Sequence, residues 1–554
     1  MACVRIEELG KCLRLGVKTI GVKVVNFDVQ KSHIVMTIRQ YLCFFFSFLV
    51  PSVFFAQEKA SQNEWTKINY VLQTDIVVST GKYAPFWLVS NRHGLSSLEN
   101  NNANLSVGIF RDFDKKKGFA WAYGAEFAGA WHYTSPFVVQ QLYADVKYNC
   151  WELSIGGKER CSEDRHRTLS GGGLTFSPNA RPIPQVRLGI NEYTTVPWCF
   201  NGWIQVKGHF SYGWHTDDHF QESYTAGAVS GTRYSTNILF HEKTAFLKIG
   251  NKEKTPFSFE MGLEMYSQFG GCLWRQHPEG DVLIYDFPNT YKEYIKAFIP
   301  MAGGEDAPQA DKVNVNGNIL GSWHFALGYE ADNWNVKAYY EHYYEDHSGL
   351  LGFDYHNTQE GRRKLIAYLP WRDGLYGVEL TVPKNRVVND IVYEYITSRD
   401  QSGPVLHNSG ESLPEQAGGI DHYYNHEYFQ SWQHWGMAIC NPHTLSPLFN
   451  DKRNLTMPYQ RIRSHHLGFD GIPFPCSQYR VMASWTKHWG SIMAPLPNPL
   501  TQFSMMGEVS FLPARWGGWR FIGALAFDRS ELIGNNFGGM LTVRHTGKLM
   551  KSKR

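Results

Sequence analysis

Residues suited to gripping a carbohydrate are concentrated in one short stretch, DHYYNHEYFQSWQHW at 421–435. A sugar ring has an apolar face that stacks on Trp or Tyr and a polar rim that bonds to Asn, Asp and Arg. Asp421, Tyr423, Tyr424, Asn425, Tyr428, Trp432 and Trp435 offer both kinds of group, and the same side chains could instead pack the loop that carries them. Arg92, which follows Trp87 and Asn91, Arg181 in the NARP turn, and the run Arg362, Arg363, Lys364 are candidates for holding an acidic polymer. Equally, Arg92 and Arg181 could brace against carboxylates, and the run could be solvated charge. His215, Asp217, Asp218 and His219 are ligand types without a ligand spacing, and His422 and His426 sit in an aromatic stretch that reads as loop, so no metal or cofactor is assigned. Neither a GxSxG elbow nor HExxH occurs, and paired carboxylates for glycoside cleavage cannot be picked out by spacing, so no catalytic residue is assigned.

The elements that would position these residues are strands. Aromatic residues make up 15% of the chain and glycines number 51, an excess of β-formers and turn residues. After the first sixty residues nothing approaches the roughly 20 unbroken apolar residues of a membrane helix. The apolar run YLCFFFSFLVPSVFFA at 41–56, preceded by Met36 and Arg39 and followed by QEKASQNE, has the layout of a secretory signal. A signal peptide is therefore expected over 36–56, cleaved near Ala56, with 1–35 an upstream extension that a later start at Met36 would omit. A single-pass anchor is disfavoured by the short run and by Pro51.

Residues 1–56 hold seven of the 54 basic and three of the 51 acidic residues, so the exported part is close to neutral and has no basic stripe for nucleic acid. Its cysteines, Cys150, Cys161, Cys199, Cys272, Cys440 and Cys476, form no CxxC pair, and their irregular spacing argues against a disulfide scaffold.

Alternation runs through 57–554. Phe257, Phe259, Met261, Leu263 and Met265 interleave with Ser258, Glu260, Gly262 and Glu264, which puts one face of a strand in an apolar medium. About 18 such segments are expected between Tyr70 and Thr546, many about ten residues long, the length of a tilted membrane strand. Trp131, Trp151, Trp203, Trp214, Trp334 and Trp519 at their ends suggest two interfacial girdles. Glu126, Lys147, Lys248, Glu260, Glu264 and Lys337 on the polar face suit a wet lumen better than a sandwich core. The expectation is an all-β transmembrane antiparallel barrel in a bacterial outer membrane. Irregular stretches are expected at 216–235, 275–317, 345–374 and 401–478; the last two are too long for hairpin turns and should be surface loops or a lumen plug, and one helix is expected over 291–301. The last strand leads into His545 and a basic tail rather than the terminal aromatic common in such barrels.

The local sequences resemble the Wzi family of capsule assembly proteins, in the form found in Bacteroidetes. The matching stretches are GKYAPFWLVSNRHG (81–94), LTFSPNARPIPQVRLGI (174–190), WIQVKGHFSYG (203–213), FHEKTAFLKIG (240–250), NGNILGSW (316–323) and GGIDHYYNHEYFQSWQHWGMAICNPH (418–443). The resemblance implies a barrel of about 18 strands that acts as a lectin, holding capsular or extracellular polysaccharide at the cell surface, among outer-membrane lipid and alongside polysaccharide export machinery. Two departures are Cys440, where a glycine is expected before NPH, and the lack of a helical bundle ahead of the first strand. Two other classes stay open: an outer-membrane channel for uptake, and a lipid hydrolase.

Overall fold

The computed structural model describes residues 68–549 except 115, 117, 197–201, 229–230, 301–316, 346–352, 358–362, 368–372, 402–421 and 514, with the backbone alone at 353–357 and 363–367. The expected extension at 1–35 and signal peptide at 36–56 lie outside the described residues.

Eighteen strands form one sheet. They are β1 (Ile68–Thr80), β2 (Asn101–Arg111), β3 (Phe119–Trp131), β4 (Phe137–Tyr148), β5 (Trp151–Gly157), β6 (Gln185–Thr195), β7 (Ile204–Trp214), β8 (Leu239–Ile249) and β9 (Phe257–Phe269). There follow β10 (Asn318–Glu330), β11 (Asn335–Glu345), β12 (Gly374–Thr381), β13 (Asp390–Thr397), β14 (Ile462–Gly471), β15 (Ser477–Gly490), β16 (Pro495–Phe511), β17 (Trp519–Ser530) and β18 (Asn536–Lys548). Each pairs antiparallel with its neighbours in sequence, and β18 pairs with β1 from Asn69↔Lys548 to Thr80↔Phe537, so the sheet closes on itself. Closure leaves no unpaired edge, which a lipid environment demands.

The period-two pattern decides which face meets lipid. Along β9, Phe257 is 63% exposed while Glu260, Glu264 and Gln268 on the other face are buried. Leu105, Val107, Leu327, Leu525 and Leu541 likewise stand exposed on the outer wall. Trp151, Trp334 and Trp519 stand exposed at one end of the wall, and Trp131, Trp214 and Trp485 at the other, as two girdles require. His545 takes the place of a terminal aromatic: its ring lies 4.7 Å from Trp519 and 5.5 Å from Tyr70, inside the first girdle.

All connections at the Trp151 end are eight residues or fewer, and both β1 and β18 end there. The long connections, among them 81–100, 158–184, 215–238, 270–317, 346–373 and 398–461, emerge at the opposite end. Short periplasmic turns and long extracellular loops are the rule for outer-membrane barrels, which orients the molecule.

The stretch 401–478, expected to be irregular throughout, contains β14 at Ile462–Gly471. Its polar face, Ser464, His466 and Asp470, is buried, while its outer face carries Arg463 and His465 beside Leu467, so apolar alternation is weak there. The helix expected over 291–301 occurs at Tyr291–Phe298. It lies outside the wall: the Tyr294 carbonyl accepts from the Tyr212 hydroxyl (2.8 Å), the Phe298 carbonyl accepts from Lys243 Nζ, and Phe298 packs on Phe210. The helix end thus covers a lysine on the lipid side with carbonyls that favour a cation.

Candidate functional site

The described parts of loops 81–100, 158–184 and 398–461 fold back into the barrel and pack there as a plug. Carboxylates from the wall grip it. Glu341 on β11 is fully buried and accepts from Arg165 (2.5 Å), from the Leu174 and Thr175 amides (2.9 and 3.2 Å) and from the Ser322 hydroxyl (2.9 Å). Glu394 on β13 accepts from the Ser170 hydroxyl (2.6 Å), the Gly171 amide (2.7 Å) and the Tyr339 hydroxyl (2.8 Å). Burial works against the Arg165 charge, but the adjacent Glu341 more than offsets it and holds the guanidinium above its usual range. Between these anchors runs SGGG at 170–173. A Cβ on Gly172, which has φ +100°, would sit 2.4 Å from Ser177 Cβ, so this approach needs glycine. These residues do the fastening; sequence reading passed over them, and the triple glycine is the feature that could have marked them.

Of the charges expected in a wet lumen, Lys337 lies 3.8 Å from Glu260 and Glu264 lies 3.3 Å from His324, while Glu126 accepts from the neutral Gln141 amide (3.0 Å). Lys248 meets Glu260 at 2.7 Å, Lys207 meets Glu163 and Asp164 at 2.6 and 2.8 Å, and Arg187 and His209 share Glu242 at 3.2 and 2.6 Å. Such pairing offsets the cost of desolvating these charges.

The plug joins three family-like stretches. Asn91 donates to the Gly171 carbonyl (2.9 Å), the Ser177 amide to Ile439 (2.8 Å), Asn179 to Ala438 (3.0 Å) and Asn441 to Gly172 (2.6 Å). Cys440 is not at positive φ, so no glycine is required there, and burial pushes its thiol up to about 12.

The sugar-binding candidates separate into two groups. Tyr423, Tyr424 and Trp432 are at most 1% exposed and sit in the apolar core of the plug, Tyr343 lying 4.1 and 4.9 Å from the two tyrosine rings. Asn425 is also buried, donating to the Met457 carbonyl (2.9 Å) and accepting from its amide (2.8 Å). Rings enclosed by protein present no face to a sugar; in this structure these four residues are packing. Tyr428 and Trp435 are only partly buried, among the extracellular loops. Asp421 and Arg362 lie outside the described residues, and Arg363 and Lys364 are described by backbone alone, in a hairpin strand at Arg363–Ala367.

Trp435 is the centre of a closed polar ring. Its indole N–H donates to Thr216 Oγ1 (3.3 Å), which lies 2.9 Å from His434 Nε2; His434 Nδ1 lies 2.8 Å from the Arg181 carbonyl, and the Arg181 guanidinium sits 4.3 Å over the Trp435 ring. His434 Nε2 also lies 2.9 Å from the Thr216 carbonyl, so both ring nitrogens face carbonyl acceptors and the neutral imidazole donates to one of them. Burial drives this imidazole down to about 4, in agreement. Three loops, 158–184, 215–238 and 398–461, are thereby locked together at the extracellular mouth. Arg181 is buried and has no carboxylate partner among the described residues, its charge being met by the indole face and the Thr134 hydroxyl (2.9 Å). Arg92, by contrast, braces the lumen beside Glu508 at 3.8 Å.

The candidate metal ligands do not converge. His215 is buried against Phe240 and His434, Asp217 accepts from the Gln221 amide (3.1 Å) at the start of a helical turn, and His219 pairs with Glu222 (2.9 Å). His422 bonds Asn425 (3.1 Å), and His426 accepts from the Tyr428 amide (3.1 Å). Two other groupings occur. In Glu264–His324–Glu341 the last carboxylate is already saturated; in His166–Asp390–Asp470, Nδ1 of His166 accepts the Leu169 amide (3.1 Å), which leaves Nε2 protonated toward Asp390. Ser322 Oγ and Glu264 both contact Nε2 of His324 (2.9 and 3.3 Å), so the acid does not orient the far nitrogen as nucleophile activation requires.

No protein-family model matches the sequence, and no curated protein matches it. Among solved structures, Wzi of Escherichia coli, described as an outer membrane protein involved in group 1 capsule assembly and a carbohydrate-binding β-barrel, aligns with a TM-score of 0.50 at 12% identity, over 85% of this chain and 83% of that one. OccK5 (OpdH) of Pseudomonas aeruginosa aligns at 0.40 with 9% identity, over 87% of this chain and 98% of its own. The chain is an outer-membrane β-barrel. At these identities the likeness speaks to the fold.

Proposed function

We propose that the protein binds capsular or other extracellular polysaccharide at the cell surface and anchors or organises it there, as a Wzi-type protein, without catalysing a reaction. The observation that carries this reading is the plug. A lumen packed with loops fastened to Glu341 and Glu394 is poorly suited to diffusion and leaves the extracellular loops as the working surface. The carbohydrate-binding description of the E. coli Wzi barrel and the family-like stretches support the choice of ligand.

Tyr428 and Trp435, each partly exposed and each packed on a neighbouring aromatic (Phe287 and Phe220), are the aromatic contacts of this reading, and Asp421, Arg362, Arg363 and Lys364 are the polar and charged contacts that their residue types offer the polymer's rim. Arg181 under Trp435 strengthens the site from behind, and Arg92 acts as a brace. The chain is exported with a cleaved signal peptide at 36–56 and works beside the polysaccharide export machinery.

A deletion strain tests this. Polymer should still be made and exported but shed into the medium. Full retention of polymer on the mutant cells sinks the reading.

A further inference from the structure

The outer wall near the extracellular rim carries cations that have no acidic partner among the described residues. Register across β13, β14 and β15 sets two outward rows. In the first, Tyr395, His465 and Trp485 are opposite one another, with ring centroids 5.0 and 5.8 Å apart. In the second, nearer the loops, Arg463 faces Lys487. Just beyond, three cations surround one indole: Arg399, Lys487 and Arg463 lie 5.0, 5.6 and 5.7 Å from the Trp489 ring centroid. None of the three forms an ion pair among the described residues, and the nearby Glu531 is held by the amide and hydroxyl of Thr501 (2.7 and 3.0 Å). The two rows border a recess of about 520 Å³.

Like charges gathered round one ring repel, and among the described residues no carboxylate pairs with them. Their depth identifies what does. The aromatic row, with Trp485 43% exposed, belongs to the interfacial girdle, so cations one step outside it stand at headgroup level on the lipid side of the wall. We infer that Arg399, Arg463 and Lys487 bind the phosphate groups of a phosphorylated lipid of the outer leaflet, with Trp485 and Tyr395 against its apolar body. Arginine forks and a lysine are the donors that phosphate oxygens select.

The test uses the full exported chain in detergent, titrated with diphosphoryl lipid A, with lipid A stripped of both phosphates, with inorganic pyrophosphate and with alginate. Diphosphoryl lipid A should bind about tenfold or more tighter than the stripped lipid and than pyrophosphate, and Arg463→Gln with Lys487→Gln should remove most of that margin. Equal affinity for the stripped lipid, or unchanged lipid A binding by the double variant, overturns the site as one for lipid phosphate. Pyrophosphate binding as tightly as the lipid overturns it in favour of a free anion. Alginate binding lost in the variant while lipid A binding persists overturns it in favour of an acidic polymer. If the double variant fails to fold, as judged by heat-modifiable gel migration, the wild type decides: lipid A affinity should fall about tenfold between about 50 and about 500 mM salt, and salt-independent binding overturns the inference.

Discussion

Replacing Arg165 with Met probes the fastening of the plug. Its side chain is 3% exposed and that of Glu341 is 0%, with 2.5 Å between them. Removing one partner of such a pair costs about 3–5 kcal/mol, because the remaining carboxylate stays buried without its counter-charge. Glu341 keeps three neutral donors, from Leu174, Thr175 and Ser322, which places the cost at the lower end, about 3 kcal/mol. At about 1.4 kcal/mol per decade, that raises the population of the released plug segment roughly a hundredfold. Hydrogen exchange read by mass spectrometry over 168–176 should accelerate by that factor in Arg165→Met. It should slow again when Glu341→Gln is added, since the uncompensated charge is then gone. Exchange at Leu174 and Thr175 that does not change in Arg165→Met refutes the reasoning.

Trp432→Ala empties the plug core and should cost about 3–5 kcal/mol of plug stability, seen as faster exchange over 422–461 with barrel heat-modifiability intact. His434, held down at about 4, binds fewer protons folded than unfolded, so its contribution is present above about pH 6.5 and is lost as pH falls toward 4; amides around Trp435 should loosen over that window. Asp217, raised to about 7 by burial, has the opposite sign: its contribution is present below about pH 4 and is lost as pH rises through 7, so the stability of loop 215–238 should fall over that window once exchange is corrected for its intrinsic pH dependence. In planar bilayers the wild-type protein should show no steady open conductance, while Arg165→Met should show intermittent openings; a wild-type steady ohmic current would favour a channel.

The barrel was legible in the sequence because its signal is local. Each wall strand such as β9 alternates Phe257, Phe259 and Met261 with Ser258, Glu260 and Gly262, and lipid on one side enforces that pattern residue by residue. Legibility failed at β14, where Arg463 and His465 occupy outward positions that alternation expects to be apolar; both stand near the rim, where charge is tolerated. The plug was anticipated only as an alternative to surface loops, since its order comes from long-range contacts such as Gly171 with Glu394 that no local period encodes. For the same reason composition could not tell Trp432, enclosed in the core, from Trp435, partly open three residues later: both lie in one aromatic stretch, and only the fold separates packing from presentation.

Direct titration of the purified, folded barrel with the native surface polymer tests the central claim. The wild type should bind, and Tyr428→Ala with Trp435→Ala should weaken binding about tenfold or more, each lost stacking contact being worth roughly 1 kcal/mol, while the barrel stays folded. A folded wild-type protein that does not bind the polymer, or a double variant that binds it equally well, contradicts the account.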